Sequence, residues 1–273
     1  MMTRVIPLLH LKGPNLVKGI QMEGLRVLGK PERFASIYYQ EGADEIILID
    51  IVASLYGRDN LLDIIQRVSN DVFVPITAGG GIRSPADAMD LLRAGAEKVC
   101  INTAAIRRPA LLYEIASAFG CQSVVLYVEA IGRDGWWEAL TNNARESSGR
   151  DVVDWIMQAQ SCGIGEILLH SVDRDGTRRG YDLDLVKAVS SVAQVPLIAS
   201  GGAGSPEHMV EALAVGADAV AAASLFHYGY LDRSEHVEEG NIEFLHSSCY
   251  ASGWGVINTK EHLKLTGASV RDT

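Results

Sequence analysis

The stretch Pro75-Ile-Thr-Ala-Gly-Gly-Gly-Ile-Arg-Ser-Pro85 sets an apolar run against three glycines and a helix-start signal. Glycine has no Cβ, so backbone N–H groups can close directly on a ligand. Ser84 is placed as an N-cap and Pro85 as the first helical residue. A helix N-terminus behind exposed amides favours an anion, so this stretch can hold a phosphate. The same residues also suit a tight strand-to-helix turn that binds nothing. The stretch recurs 121 residues later, as Pro196-Leu-Ile-Ala-Ser-Gly-Gly-Ala-Gly-Ser-Pro206. Glu45 and Glu166 stand at the same offset, as do Gly95-Ala96 and Gly216-Ala217. Two related halves, each with an anion turn, imply a ligand carrying a phosphate at each end.

Turns of this kind need strands to carry them. Strands are expected at 4–11, 45–50, 72–76, 98–102, 123–129, 166–171, 196–200 and 218–223. Helices are expected at 30–40, 58–69, 84–93, 109–119, 151–161, 184–192, 206–215 and, last, 259–265. The strands read as continuous apolar runs, as parallel strands buried on both faces do. Eight strand–helix units with a twofold repeat define an α/β fold, a (β/α)8 TIM barrel built from two half-barrels, spanning 1–273 as one domain. An open doubly wound sheet explains the 121-residue offset less well. In a barrel, function sits at the carboxyl ends of the strands. Two segments fall outside the pattern. One is a polar excursion at 132–150 with Trp136 and Trp137. The other is an acidic stretch, 229–256, expected as an insertion before the last helix: a solvated loop, a substrate lid or a partner contact.

Composition narrows the class. The chain has 273 residues, 48% of them apolar, with net charge −10 and a sequence pI near 5.2. An acidic surface argues against nucleic-acid binding. There is no apolar run of membrane-spanning length, and the first residues have no secretory h-region, so a cytoplasmic location is expected. Cys100, Cys121, Cys162 and Cys249 lack metal-ligand spacing. They are expected to be free thiols, the first three buried, with no metal and no cofactor.

Five strings carry a resemblance to a known family: Gly79-Gly-Gly-Ile-Arg83, Ile101-Asn-Thr-Ala-Ala105, Asp173-Arg-Asp-Gly-Thr177 with Gly180-Tyr-Asp182, Ala199-Ser-Gly-Gly-Ala-Gly204, and Ala223-Ser-Leu-Phe-His227. Together they make the chain similar to the HisF family, the cyclase subunit of imidazole glycerol phosphate synthase, over about residues 3–228 and weakly over 258–271. The resemblance implies a lyase/cyclase that takes ammonia from a HisH-like glutaminase subunit in a heterodimer. The ammonia cleaves a bisphosphorylated aminoimidazole carboxamide ribonucleotide and closes an imidazole ring. One phosphate is placed at Gly81, Asn102 and Thr103, and the other at Asp175, Gly176, Gly202, Ala223 and Ser224. Lys18 and Asp50 match substrate-contacting residues. Arg4, Glu45, Lys98 and Glu166 match a charged ring gating an ammonia passage at the other end of the barrel.

The resemblance breaks where the chemistry is centred. The family has an aspartate acid ending strand one and an aspartate base ending strand five. Here His10 and Glu129 stand in those places, Ile131 replaces a common lysine, and His170 replaces a usual threonine. His and Glu can serve as acid and base, but a displacement near 1 Å can cost about 10²-fold in rate. A nearby Glu129 carboxylate is expected to favour a charged His10. The altered pair resembles paralogues in surface-sugar gene sets, in which HisF-like and HisH-like subunits supply ammonia for acetamidino-type amidation. That diverged role is the leading expectation. An authentic histidine-pathway cyclase and a non-catalytic scaffold that activates a glutaminase are the alternatives.

Overall fold

The structure is a computed structural model that describes residues 2–53, 59–233 and 253–272. β1 (Arg4–Lys12) is followed by β2 (Asn15–Ile20), β3 (Glu23–Gly29), α1 (Pro31–Gln40), β4 (Ile46–Asp50), α2 (Asp59–Asp71), β5 (Ile76–Gly79) and α3 (Pro85–Arg93). Next come β6 (Lys98–Ile101), α4 (Thr103–Arg107), α5 (Ala110–Phe119), β7 (Val124–Arg133), β8 (Trp136–Thr141), β9 (Glu146–Asp151) and α6 (Val152–Gln160). The remainder is β10 (Glu166–Ser171), α7 (Leu183–Ser190), β11 (Leu197–Ser200), α8 (Pro206–Ala214), β12 (Ala219–Ala222), α9 (Ser224–Arg233) and α10 (Val256–Leu265).

Eight parallel strands, β1-β4-β5-β6-β7-β10-β11-β12, pair in that order, and β12 returns to β1 with Arg4 opposite Ala219. Closure without an edge makes this a (β/α)8 barrel. Alternation along each strand then sorts the side chains into two sets. Val5, Leu9 and Leu11 of β1 join the apolar layer under the helices, whereas Ile6 and Leu8 pack inside the barrel with Ile47, Ile49, Val125, Leu168 and Ile198. The inward rows therefore read Arg4-Ile6-Leu8-His10 on β1, Val125-Tyr127-Glu129 on β7 and Glu166-Leu168-His170 on β10. Each has apolar residues in the middle and, on two of them, a charged residue at the amino end and an ionisable one at the carboxyl end.

Four expectations need correction. The third strand lies at Ile76–Gly79, not 72–76. Val72 to Val74 form the connection after α2, and Phe73 is 75% exposed. Pro75 has no N–H to give but accepts one from Ile46, so ladder pairing begins beyond it. The polar excursion at 132–150 is an antiparallel hairpin, with β7 running on to Arg133 against β8, and β8 against β9. The stretch 229–256 is helical at both described ends, since α9 continues to Arg233 and α10 starts at Val256. Residues 234–252, with Cys249, lie outside the described residues. Of the thiols expected to be buried, only Cys100 is; Cys121 is exposed and Cys162 intermediate. One hairpin, β2–β3, had no counterpart in the sequence reading. Its strand β2 pairs with β1 and brings Lys18 over the barrel mouth. Among the described residues, no helix is long and apolar enough to cross a membrane.

Candidate active site

At the amino end of the barrel, the inward rows start with charge. Arg4 donates to Glu45 at 2.8 Å and to Glu166. Lys98 donates to the same two glutamates, at 2.8 Å each. Thr77 adds a 2.5 Å hydrogen bond to Glu45. The result is a closed ring of alternating charge. Burial lowers the Lys98 and Arg4 pKa values, but the glutamates outweigh it and hold both cations above their ordinary range. Arg4, Glu45, Lys98 and Glu166 thus meet around the barrel axis.

At the carboxyl end, the first glycine turn is built as the sequence implied. Gly80 and Gly81 adopt φ of +114° and +67°. Ser84 caps α3 by accepting the Asp87 N–H at 3.3 Å, and the Asp87 carboxylate accepts the N–H groups of Ser84 and Arg83 at 2.9 and 2.7 Å. The turn opens on a cavity of about 370 Å³ whose lining includes Asp50, Gly81, Asn102, Thr103, Tyr127 and Glu129. Asp50 accepts the Val52 N–H at 2.9 Å on the cavity lip. Burial raises its pKa, opposed by that bond and one from Ala53.

Glu129 ends its inward row in this cavity, 2% exposed. Its Oε2 accepts from Asn102 Nδ2 at 2.9 Å and from the Ala144 N–H at 2.8 Å. Burial pushes its pKa up to about 7, against the hydrogen bonds from Ala144 and Asn102. A carboxyl group titrating there can act as a general base near neutral pH. Asn102 thereby ties the expected phosphate cradle to Glu129.

His10 behaves differently from the sequence expectation. Burial first, then the Lys18 ammonium, lowers its pKa well below the ordinary value, so the imidazole is neutral. Glu129 does not hold it charged. Its ring packs edge-on to His170 with centroids 5.8 Å apart. His170 Nδ1 meets Ser200 Oγ at 3.0 Å, and its Nε2 lies 3.5 Å from Asp175.

The second turn is covered. Lys18 donates to both oxygens of Asp175, at 2.8 and 2.9 Å, and both side chains are almost fully buried. Burial acts to raise the Asp175 pKa, but the Lys18 charge, with the nearby His170, holds it well below the carboxylate range. Gly176 and Gly202 have φ of +72° and +105°. A Cβ on Gly176 would lie 2.6 Å from Gly19 O in the β2–β3 hairpin, and one on Gly202 would lie 2.1 Å from Gly180 O. Ala223 precedes Ser224, the first residue of α9.

The turn Asn142-Asn143-Ala144, which the sequence reading passed over, lines or borders the first cavity. Thr103 Oγ1 accepts the Asn142 N–H at 2.9 Å. An Asn-Asn pair between two runs is a turn signal that tolerates left-handed backbone, and it was available in the sequence.

A closed (β/α)8 barrel with a glycine turn, a cavity and a carboxyl group titrating near 7 at the carboxyl ends of its strands has the layout of an enzyme of the barrel class. The chain belongs to the HisF family: the family model described as histidine biosynthesis protein matches residues 4–232, and its relatives bear the HisF name. It is 56% identical over 205 residues to imidazole glycerol phosphate synthase subunit HisF of Legionella pneumophila, an alignment covering 75% of this chain and 97% of that protein. It is 47% identical over 239 residues to the subunit of the same name from Corynebacterium diphtheriae, covering 85% and 93%. The subunit of that name from Thermobifida fusca is also 47% identical, over 238 residues. The chain is therefore an enzyme of the lyase/cyclase type that these relatives represent.

Proposed function

We propose that this chain is the ammonia-using cyclase-type subunit of a glutamine-dependent synthase, with a HisH-like glutaminase as its partner and a bisphosphorylated aminoimidazole carboxamide ribonucleotide as its ligand. The observation that carries the reading is the inward row. The inward rows of β1 and β10 run from Arg4 and Glu166 of the charged ring to His10 and His170 with aliphatic side chains between, and Glu129 ends the neighbouring row of β7. Neutral ammonia can cross such an interior, whereas an ammonium ion loses its hydration there at high cost. The ring of Arg4, Glu45, Lys98 and Glu166 is the gate at the glutaminase side. At the mouth, the Gly81, Asn102 and Thr103 turn holds one phosphate, and the Gly176, Gly202, Ala223 and Ser224 turn holds the other. Lys18 must leave Asp175 for the ligand or bring it in. Glu129 takes the proton, and its deprotonated fraction rises through pH 7.

A second reading concerns the fate of the ammonia. Neutral, buried His10 carries no proton to give as an imidazolium, so strand one lacks the acid that the resemblance assigns there. That favours slow ring closure, with ammonia delivered for acetamidino-type amidation of a surface sugar. Turnover of the ribonucleotide should be measured with excess ammonium salt, then with a HisH-type glutaminase and glutamine. Ring closure at about 1 per second or faster excludes the amidation reading and leaves the histidine-pathway cyclase, with His10 and Glu129 as its working pair. Absence of turnover with either nitrogen source removes the cyclase reading.

A further inference from the structure

The tip of the β8–β9 hairpin holds three consecutive non-glycine residues in left-handed backbone: Asn142, Asn143 and Ala144, with φ of +54°, +59° and +59°. L side chains avoid this region, and glycine occupies it freely. Asparagine is tolerated there because its carboxamide can bond to nearby backbone. Asn143 makes no such bond. Both Nδ2 and Oδ1 are buried and have no partner in the protein. The tip is pinned on either side, through the Asn142 N–H to Thr103 Oγ1 at 2.9 Å and the Ala144 N–H to Glu129 at 2.8 Å. Asn143 is therefore held in place on the wall of the cavity that contains Gly81, Asn102 and Glu129. Asn102 Oδ1, on the same wall, is also buried without a partner. Buried polar atoms are nearly always paired, and an exception in a cavity calls for an account.

We propose that Asn143 is a specificity-determining residue. Its carboxamide pairs with a planar ligand edge that presents a donor beside an acceptor, the edge of a carboxamide, next to a phosphate on the Gly81 turn. The inference rests on the ligand reading above and adds the group that recognises the heterocyclic end. A charged anion would need donors only. A carboxamide edge uses both atoms of Asn143, and Asn102 Oδ1 can accept from the adjoining amino group.

The test compares two probes by titration calorimetry on the full chain: 5-aminoimidazole-4-carboxamide ribonucleotide and ribose 5-phosphate. Wild type is expected to favour the ribonucleotide. Asn143→Gly, which removes the carboxamide and suits the backbone, should weaken the ribonucleotide about tenfold or more while ribose 5-phosphate stays within about twofold. Its melting temperature should hold or rise, which separates lost recognition from lost folding. Asn143→Asp, lacking the donor, should lose the same preference. If Asn143→Gly binds both probes as wild type does, or weakens both equally, the inference is overturned. If wild type does not discriminate between the probes, it is overturned while the phosphate reading stands. Wild type binding neither probe overturns both.

Discussion

At the first glycine turn, Ser84 and Asp87 cap α3 reciprocally, and Gly81 lines an open cavity. At the second, 121 residues on, Ser205 makes no side-chain cap, Gly204 gives its N–H to His208, and Gly202 is packed beneath Gly180. The repeat thus reproduces the backbone turn but not its surroundings. The neighbours diverge too. Asn102 of the first half reaches Glu129, whereas its counterpart by offset is Ala223. The second turn has instead acquired a roof, the β2–β3 hairpin, fastened by Lys18 to Asp175. The same divergence appears at the barrel's other end. Glu45 and Glu166 are repeat partners, but Arg4 and Lys98 both come from the first half, and their counterparts are Val125 and Ala219. The two halves thus share the backbone of the turn, while the near-neutral carboxyl group stands at one side and the Lys18–Asp175 closure at the other.

Removing the proton acceptor on the open side should have the largest effect. Glu129→Gln is expected to lower kcat about 10²- to 10⁴-fold with KM little changed. The pH profile gives the sign. A base with its pKa near 7 produces a rate that rises with pH through 7, where an ordinary exposed Glu would give a midpoint near 4.3. Stability runs the opposite way. Because the folded pKa is raised, this contribution to stability is fully present below the unfolded value near 4.3 and is lost as pH rises through about 7. Denaturant titrations of wild type and Glu129→Gln across pH 4–9 would read it. A rate profile flat from pH 5 to 9 would remove Glu129 from the mechanism.

On the roofed side, Lys18→Ala leaves Asp175 buried and unpaired, which should cost about 3–5 kcal/mol of unfolding free energy. The Asp175 pKa is depressed, so that pair's contribution is present above the unfolded value near 3.9 and fades as pH falls. The loss on Lys18→Ala should shrink in acid, and a deficit independent of pH would mean the pair is not the fastening. The caps give the smallest contrast. Ser84→Ala should lose about 1 kcal/mol, and Ser205→Ala less than about 0.5 kcal/mol. Equal losses by chemical denaturation would show the two turns to be alike after all.

Much of this was legible in the chain. Continuous apolar runs located the strands, and the six residues of β10 were read with both boundaries correct. The offset of 121 found both turns and the two glutamates of the ring. What stayed hidden depends on contacts between distant residues or on polar strands. β8 and β9 carry the buried Glu138 and its partners Ser147 and Arg133, contacts that no pattern in the sequence marks. The Val72 to Val74 run looked like a strand because apolar content alone does not distinguish a strand from a packed connection. The neutral state of His10 follows from its burial and from the Lys18 ammonium, which Asp175, 157 residues away, holds at the mouth. Spacing could place His10 at the mouth but not say which charge would face it.

The central claim is that ammonia enters through the ring and reacts at the opposite end. It is tested most directly by Lys98→Ala, assayed with the ribonucleotide under two nitrogen sources. Lys98 bridges both glutamates of the ring and lies at the far end of the barrel from Glu129. Glutamine-driven turnover with a HisH-type glutaminase should fall about tenfold or more, while turnover with excess ammonium salt stays within about twofold of wild type. Equal loss under both nitrogen sources, or no loss under either, would contradict the account.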